Sequence, residues 1–305
     1  MSGANVTPSS SSETTPDGVP GSAPAVTLRV GFIGLGSQGA PMARRIVDAG
    51  FPTTLWARRP ASLEPFAGTG AKVAGSPAEL AADCDVVGVC VVDDAGVEQV
   101  VAGEAGVLAR LAAGGVIVVH STVHPDTCRR LAEAAAACGV SVVDAPVSGG
   151  GPAAAEGSLL LMAGGEPAAV ERCRPVFATY ADPIVHLGPL GSGQLTKLLN
   201  NVLFTANLAT AAGALALGRS LGVDTARLAE VVSHGSGASF ALGRVAAAGG
   251  TLDPLASRAG ALLQKDARLL AAVAEAAGVP TGPVMSAADD ALELMDHRRG
   301  EPARP

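Results

Sequence analysis

The sequence has few aromatic residues and few charges. Phe, Trp and Tyr make up 3% of its 305 residues and charged residues 16%, whereas hydrophobic residues make up 48%. A core must therefore be built from Ala, Val and Leu, in a composition typical of a folded globular protein and not of a disordered chain. The net charge is −7, with no basic run and no basic residues interleaved with aromatics. The charge argues against a nucleic-acid partner.

The cysteines lack the spacing of a metal site. They form no CxxC pair and no cluster with histidine, which fits reduced thiols packed as small apolar residues, and no metal is expected. The five are Cys84, Cys90, Cys128, Cys138 and Cys173. The chain does not open with a basic start, an apolar run and a small-residue cleavage site, and glycines or polar residues interrupt the long apolar stretches. We therefore expect a cytoplasmic protein without a membrane span.

Length and composition indicate two domains after a tail. Residues 1–26 are rich in Ser, Thr, Pro and Gly and nearly lack large apolar side chains, so this segment is predicted to be disordered. Strand and helix patterns alternate over 27–188, whereas helical patterns alone fill 189–305. The predicted fold class is α/β: an N-terminal doubly wound sheet, then a long interdomain helix and an all-α C-terminal domain.

A glycine-rich loop separates the first predicted strand from the first predicted helix and matches G-x-G-x-x-G. In this context Gly34 permits a tight turn, Gly36 leaves room for a pyrophosphate, and Gly39 lets the helix pack closely on the strand. The loop therefore predicts a Rossmann domain that binds NAD(P). Its candidate cofactor-binding residues are Gly34, Leu35, Gly36, Ser37, Gln38 and Gly39.

Two arginines follow the second predicted strand. An NAD-type site has a carboxylate about 20 residues past the glycine loop, to bind the ribose hydroxyls. This chain has Ala57-Arg58-Arg59 there instead. An arginine would pair with a 2′-phosphate, which no carboxylate would then repel, so NADP is preferred over NAD, with NAD possible. The alternative is two solvated arginines in a loop.

Two later strands also end where a cofactor is expected to bind. The strand over 85–91 ends in Cys90-Val91, and the next runs into Ser121-Thr122. Because the carboxyl ends of parallel strands face the ligand, these residues are predicted to lie near the cofactor. The hydroxyls of Ser121 and Thr122 could reach a nicotinamide or ribose, or they could instead cap a helix before Pro125.

A glycine run follows a third strand end. Ser148 is followed by Gly149, Gly150 and Gly151. A serine hydroxyl and successive unencumbered N–H groups would form a nest for a carboxylate. A flexible glycine turn is the alternative.

The longest apolar run, over 185–221, carries one lysine near its start. In a helix Lys197 and Asn201 stand at i and i+4, so both side chains project from the same face. A lysine and an amide at the head of an apolar helix suggest a catalytic pair facing a cleft. A solvent-facing lysine is the alternative.

Four blocks of sequence resemble the β-hydroxyacid dehydrogenase family, which includes 3-hydroxyisobutyrate dehydrogenase, tartronate semialdehyde reductase and the glyoxylate/succinic semialdehyde reductases. Together with a fifth match at Lys265-Asp266, they span nearly all of the chain after the tail. The blocks are GFIGLGSQGAPMA (Gly31–Ala43), Ser121-Thr122-Val123, DAPVSGG (Asp144–Gly150) continuing to Glu156-Gly157, and GSGQLTKLLNN (Gly191–Asn201).

The resemblance implies a role for each matching residue. Lys197 would be the catalytic general acid/base, and Asn201 would help to hold it and the substrate. A substrate carboxylate would bind to Ser148, Gly149 and Gly150, and contacts with the cofactor near the nicotinamide would come from Thr122, Lys265, Cys90 and Val91. The implied activity is NAD(P)-dependent interconversion of a short 3-hydroxy acid and its semialdehyde, by a homodimer or homotetramer.

The chain departs from the family at three places. Gln38-Gly39 stands where Met-Gly is common, and Ala57-Arg58-Arg59 where Asn-Arg-Thr is frequent, which keeps the arginine but removes an amide. Phe240 lies where members place side chains that set specificity.

Two other functions stay open from the sequence. An imine reductase-like enzyme would share the fold, but such enzymes generally lack the lysine and the full DAPVSGG block. A catalytically silent NADP-binding protein is the second alternative. Intact Lys197, Asn201 and Ser148 weigh against it.

Overall fold

The computed structural model of the protein describes residues 27–301. The segment predicted to be a disordered tail, 1–26, lies outside the described residues, as do residues 302–305. Within the described range an α/β part is followed by helices alone, which confirms the predicted fold class.

A six-stranded parallel sheet forms the centre of the α/β part, in the order β3-β2-β1-β4-β5-β6. The order reverses between β1 and β4, and ligands bind at the carboxyl ends of strands at such a switch point. β1, β4 and β5 are buried along their whole length, as expected for strands covered on both faces. The six strands are β1 (Val30–Ile33), β2 (Thr53–Trp56), β3 (Lys72–Val73), β4 (Val86–Val89), β5 (Val116–Val119) and β6 (Ser141–Asp144).

Helices cover both faces of this sheet. Successive residues of a strand point to opposite faces, so Phe32 joins one apolar cluster and Ile33 the other. Ser76 and Asp93 cap two of the helices by accepting hydrogen bonds from backbone N–H groups. The helices are α1 (Gly39–Asp48), α2 (Pro77–Ala81), α3 (Asp94–Ala102) and α4 (Pro125–Ala136), with 3-10 turns at Pro60–Phe66 and Val107–Ala109.

The last strands form a second, three-stranded sheet and do not join the doubly wound sheet, although strand and helix patterns alternate over the whole of 27–188. A parallel neighbour needs a crossover of a dozen residues or more, but only Ala145 and Pro146 separate β6 from the next strand. The chain therefore turns away from the first sheet. The second sheet contains β7 (Val147–Ser148), β8 (Leu159–Ala163) and β9 (Ala181–His186), in the order β7-β8-β9, with α5 (Gly150–Glu156) and α6 (Pro167–Phe177) between them.

Five helices follow, and the first is their centre. The 29-residue α7 buries Leu198, Val202 and Leu208 in one apolar cluster with the others, and Asp224 caps the next helix, as its position predicts. On length and composition alone α7 would suffice to cross a membrane, contrary to the expectation that every such run is interrupted; core helices of soluble proteins share this property. The five are α7 (Ser192–Ser220), α8 (Thr225–His234), α9 (Phe240–Ala247), α10 (Asp253–Ala276) and α11 (Gly282–Leu294).

Asp144, at the end of β6, connects both sheets to α7. Its fully buried carboxylate accepts hydrogen bonds from the backbone N–H groups of Gly191 and Gln194, each at 2.7 Å. Its own backbone is bridged to Gly164 beside β8. Burial raises the pKa of Asp144, while the backbone donors oppose that shift. A side chain at Gly193 would collide with this carboxylate, so the start of α7 is fixed against the sheets.

Candidate active site

The glycine-rich loop is tight at its ends and open at its middle. Gly34 has φ +97°, and a Cβ there would collide with the Cys90 carbonyl; a Cβ at Gly39 would collide with the Gly34 carbonyl. A Cβ at Gly36 would meet nothing within 4 Å. The predicted role of each glycine is therefore consistent with its surroundings. Open space and free backbone N–H groups beside the start of α1 fit a dinucleotide pyrophosphate.

Arg58 and Arg59 follow the end of β2, the strand beside β1. Both side chains are exposed, and neither has an ion-pair partner between residues 27 and 301. Their guanidinium groups are therefore free to meet an anion. Within residues 27–301 no side-chain hydrogen bond or ion pair joins them to the other candidate residues, so only their position at this sheet edge relates them to the glycine-rich loop.

The strand end at Cys90 and Val91 lies against the loop. Burial raises the pKa of the Cys90 thiol to about 12, so this cysteine packs and does not act as a thiolate. Val91 N–H donates to Ser121 Oγ at 2.8 Å. Ser121 Oγ thus accepts a hydrogen bond inside the protein, and it does not cap α4, because the side chain of His124 does. The capping role therefore does not fit Ser121, whereas a contact of its hydroxyl with the cofactor stays a prediction.

Gln194 holds the segment after β5 in place. Its side-chain Nε2 donates to Ser121 O at 2.8 Å, and its Oε1 accepts from Val123 N–H at 3.0 Å. The residue between, Thr122, is left half-buried, and its carbonyl accepts a hydrogen bond from Lys265 Nζ at 2.5 Å. Thr122 and Lys265, which the resemblance places near the nicotinamide, are therefore in contact.

Lys197 lies on the second turn of α7 and is buried, with 8% of the residue exposed. Burial lowers the pKa of its ammonium from 10.5 to about 8; the positive charge of Lys265 lowers it further, and the Asp266 carboxylate opposes this. Within the described part of the chain, Lys197 Nζ has no hydrogen-bond partner. The N–H groups of the ammonium, or the lone pair of the neutral amine, are therefore available to a ligand.

Asp266 contacts both Asn201 and Lys265. Its Oδ2 accepts from Asn201 Nδ2 at 2.6 Å, and its Oδ1 lies 2.9 Å from Lys265 Nζ. The predicted pairing of Lys197 and Asn201 on one face is consistent with this arrangement, because the charge of Asp266 acts on Lys197 while its oxygen orients Asn201. Asn201 Oδ1 accepts a hydrogen bond from Asn200 Nδ2 at 3.1 Å, and its second lone pair can accept another from a ligand.

The carboxylate loop packs on the glycine-rich loop. Ser148 ends β7 half-buried, and the exposed Gly149 and Gly150 have φ +132° and +77°. Such angles favour glycine. A Cβ at Gly151 would lie 2.8 Å from Ser37 O, so the two loops touch. The loops, the strand ends and Lys265 thus form one connected set of contacts.

Sequence reasoning missed Asp144, Gln194 and the part that Asp266 plays. A lone carboxylate inside the apolar strand SVVDAPV and a glutamine in the first turn of an apolar helix are signals that could have found the first two. For Asp266 the only signal is its place beside Lys265 in the family match. No group of three or more metal-ligating side chains occurs among the residues that the structure describes.

Two family models match the chain. The model described as the NAD binding domain of 6-phosphogluconate dehydrogenase matches residues 29–188, which is 160 of 305. The model described as the NAD-binding of NADP-dependent 3-hydroxyisobutyrate dehydrogenase matches residues 191–303. Together they cover the α/β part and the helices.

Relatives named as dehydrogenases agree with these matches. The 3-hydroxyisobutyrate dehydrogenase of Pseudomonas aeruginosa is 38% identical over 213 residues, 70% of this chain and 72% of the relative. The NAD-dependent L-serine dehydrogenase of the same organism is 36% identical over 214 residues, with the same coverage. A solved structure of Mycobacterium tuberculosis 3-hydroxyisobutyrate dehydrogenase with L-serine has a TM-score of 0.78 and 29% identity, and it covers 90% of this chain and 96% of that one.

An imine reductase shares the fold alone. The structure from Pseudomonas sp. matches with a TM-score of 0.58 at 18% identity, over 88% of this chain and 93% of that one. The assignment to a family rests instead on the two family models and on the sequence identity to the dehydrogenases. The chain belongs to the β-hydroxyacid dehydrogenase family, whose members are NAD(P)-dependent oxidoreductases.

Proposed function

We propose that this protein interconverts a short 3-hydroxy acid and its semialdehyde, with NADP as the preferred cofactor and Lys197 as the general acid/base. The observation that carries the proposal is a buried lysine whose pKa is lowered to about 8 and whose Nζ has no partner in the described chain. A general acid/base works best when its pKa lies near the working pH. The catalytically silent alternative offers no reason for such a lysine.

The chain's residues then divide the work. The Ser148 hydroxyl and the N–H groups of Gly149 and Gly150 bind the substrate carboxylate. A bound nicotinamide would supply the hydride for reduction or take it up in oxidation. Lys197 Nζ accepts the proton of the substrate hydroxyl during oxidation and returns it during reduction. Asn201, oriented by Asp266, accepts a hydrogen bond from the substrate or from the lysine.

The substrate class rests on the relatives and on the carboxylate nest. The two Pseudomonas aeruginosa relatives are named for 3-hydroxyisobutyrate and L-serine, which are both carboxylates with a hydroxyl on carbon 3. A carboxylate nest in contact with the glycine-rich loop would hold the acid group of such a ligand beside the cofactor. We therefore propose a short 3-hydroxy acid and not an amine or imine.

The proposal extends to subunit number and location. Leu195, Leu199 and Leu203 form an exposed row at i, i+4 and i+8 on α7, on the side away from Lys197. An exposed apolar row on a core helix suits a second copy of the chain, so we propose a homodimer, or a homotetramer in which two such dimers associate. Five free cysteines fit the reducing cytoplasm.

Lys197→Met keeps an unbranched buried side chain and removes the proton carrier. We expect kcat to fall by about 10²–10⁴-fold, the usual contribution of a general acid/base, with NADPH affinity little changed. Steady-state kinetics and a binding titration measure the two quantities. Lys72→Met, at an exposed lysine of β3, is the matched control and should keep full activity. Wild-type turnover by Lys197→Met would contradict the mechanism.

The pH dependence should follow the protonation of Lys197. Oxidation needs the neutral amine, so its kcat/KM rises with pH and levels off above about 8; reduction needs the ammonium and declines over the same range. Asp266→Asn removes the charge that raises this pKa, so its oxidation profile moves to lower pH. Lys265→Met removes the charge that lowers it and moves the profile to higher pH. Shifts in the same direction in both variants would rule out this electrostatic account.

The double variant Arg58→Ala/Arg59→Ala tests cofactor choice. Loss of charge-assisted bonds to a 2′-phosphate should lower the ratio of kcat/KM for NADP to that for NAD by about 10-fold or more. Arg110→Ala, at an exposed arginine after the 3-10 turn Val107–Ala109, serves as the control. An unaltered ratio in the double variant would show that neither arginine recognises the phosphate.

The double variant Leu199→Asp/Leu203→Asp tests the dimer. Light scattering should give about twice the 29.9 kDa chain mass for the wild type and the chain mass for the variant, because two buried carboxylates oppose association. Val73→Asp, at an exposed apolar residue of β3, should leave the dimer intact. A monomeric wild type would refute the proposal.

A further inference from the structure

One histidine is buried behind the candidate site with both of its ring nitrogens in use. His120 follows β5 and directly precedes Ser121, and only 4% of it is exposed. Its Nδ1 lies 2.7 Å from Ala145 O, and its Nε2 lies 3.2 Å from Tyr180 Oη. A carbonyl oxygen can only accept, so Nδ1 carries the proton and Nε2 accepts from the tyrosine hydroxyl. Burial lowers the pKa of His120 to about 4, so the ring is neutral at physiological pH.

Aromatic rings from both sheets hold this imidazole in place. Phe32 of β1 stacks on it, with ring centroids 6.0 Å apart and an angle of 18° between the planes. Phe177 and Tyr180 meet it edge-on. Tyr180 is itself 1% exposed and directly precedes β9 of the second sheet. The ring is therefore packed from the first sheet on one side and from the second on the other.

The bond to Ala145 O replaces the next hydrogen bond of the parallel sheet. Ala145 N–H donates to Val119 O at 2.8 Å, which continues the pairing of β5 with β6. In a regular parallel ladder Ala145 O would then accept from Ser121 N–H. That N–H donates instead to Val89 O, at 3.3 Å, and the His120 ring supplies the donor for Ala145. The side chain of His120 thus fixes the point at which the chain leaves the first sheet.

His120 consequently connects two parts of the site. Its backbone directly precedes Ser121 and Thr122, the segment predicted to contact the cofactor. Its ring holds Ala145 O, and only two residues separate Ala145 from Ser148, where the carboxylate nest begins. The imidazole therefore sets the separation between the cofactor segment and the nest.

We infer that His120 is a positioning residue that holds the carboxylate nest at the distance from the cofactor that a short 3-hydroxy acid requires. The inference rests on the proposed function. An acid bound at the nest presents its alcohol carbon to the nicotinamide only when the number of carbons between acid and alcohol matches that distance. Because His120 is buried, it acts through the backbone of Ala145 and not by contact with the substrate.

The test compares 3-hydroxypropanoate with 4-hydroxybutanoate, which has one more methylene between acid and alcohol. In the full-length protein with NADP, the wild type should have the higher kcat/KM for the shorter acid. His120→Leu cannot donate to Ala145 O, and the longer amide of His120→Gln takes the place of Nε2 and not of Nδ1. Both should lower the ratio of the two kcat/KM values by about 10-fold or more, because a misplacement of ~1 Å can cost about 10²-fold in rate. His120→Asn, whose Nδ2 takes the place of Nδ1, should keep the ratio.

Tyr180→Phe is the matched control. It removes the donor to Nε2 and leaves the bond to Ala145 O, so it should lower the temperature of thermal unfolding and leave the ratio unchanged. A loss of folded enzyme lowers the activity towards both acids alike and cancels in the ratio, so stability and positioning are measured separately. If His120→Leu yields no folded protein, the Gln and Asn variants decide the matter.

Three results would overturn the inference. The first is an unaltered ratio in folded His120→Gln. The second is an equal change in His120→Asn or Tyr180→Phe, which would assign the effect to packing around the ring. The third is a wild-type preference for the longer acid. A wild type that oxidises neither acid with NADP or NAD refutes the proposed function and the inference together, whereas the three results in an active enzyme refute the inference alone.

Discussion

Burial of the Lys197 ammonium beside a second ammonium is the interaction on which the proposed chemistry depends. An exposed lysine would keep its proton at neutral pH and could not accept another. Here burial and Lys265 favour the neutral amine, while Asp266 keeps the charged form accessible. Two of the chain's three lysines lie in this cluster; the third, Lys72, is on an exposed edge strand. All other Lys and Arg positions of the chain are arginines, whose side chains do not give up a proton at working pH.

The position of Lys197 depends in turn on the buried Asp144. Its carboxylate binds the first N–H groups of α7, and Gln194 ties the same turn to the segment after β5. Because each residue of a helix turns by about 100°, a shift of one residue at this start would rotate Lys197 out of the cluster. These contacts between the sheets and the start of α7 therefore set the position of the Lys197 side chain, one turn further along the helix.

The sequence was sufficient where the signal is local. The glycine-rich loop has a strand before it and a helix after it, and Lys197 and Asn201 share a helix face, so both could be predicted from spacing. Contacts between distant segments could not: Asp144 and Gln194 bind backbone groups, which carry no sequence signature, and the second sheet arises because two residues cannot form a crossover. Nor could the sequence show that Ser121 does not cap α4, because its Oγ accepts from Val91 N–H, at another strand end, and His124 provides the cap.

The central claim is that Lys197 has a lowered pKa, and an NMR titration of the lysine side chains tests it most directly. With three lysines the signals are few, and Lys197→Met and Lys72→Met assign them. The account predicts that Lys197 titrates at about 8, well below the ordinary 10.5. A value near 10.5 in the folded protein would contradict it, because a lysine so fully charged at neutral pH cannot serve as the base.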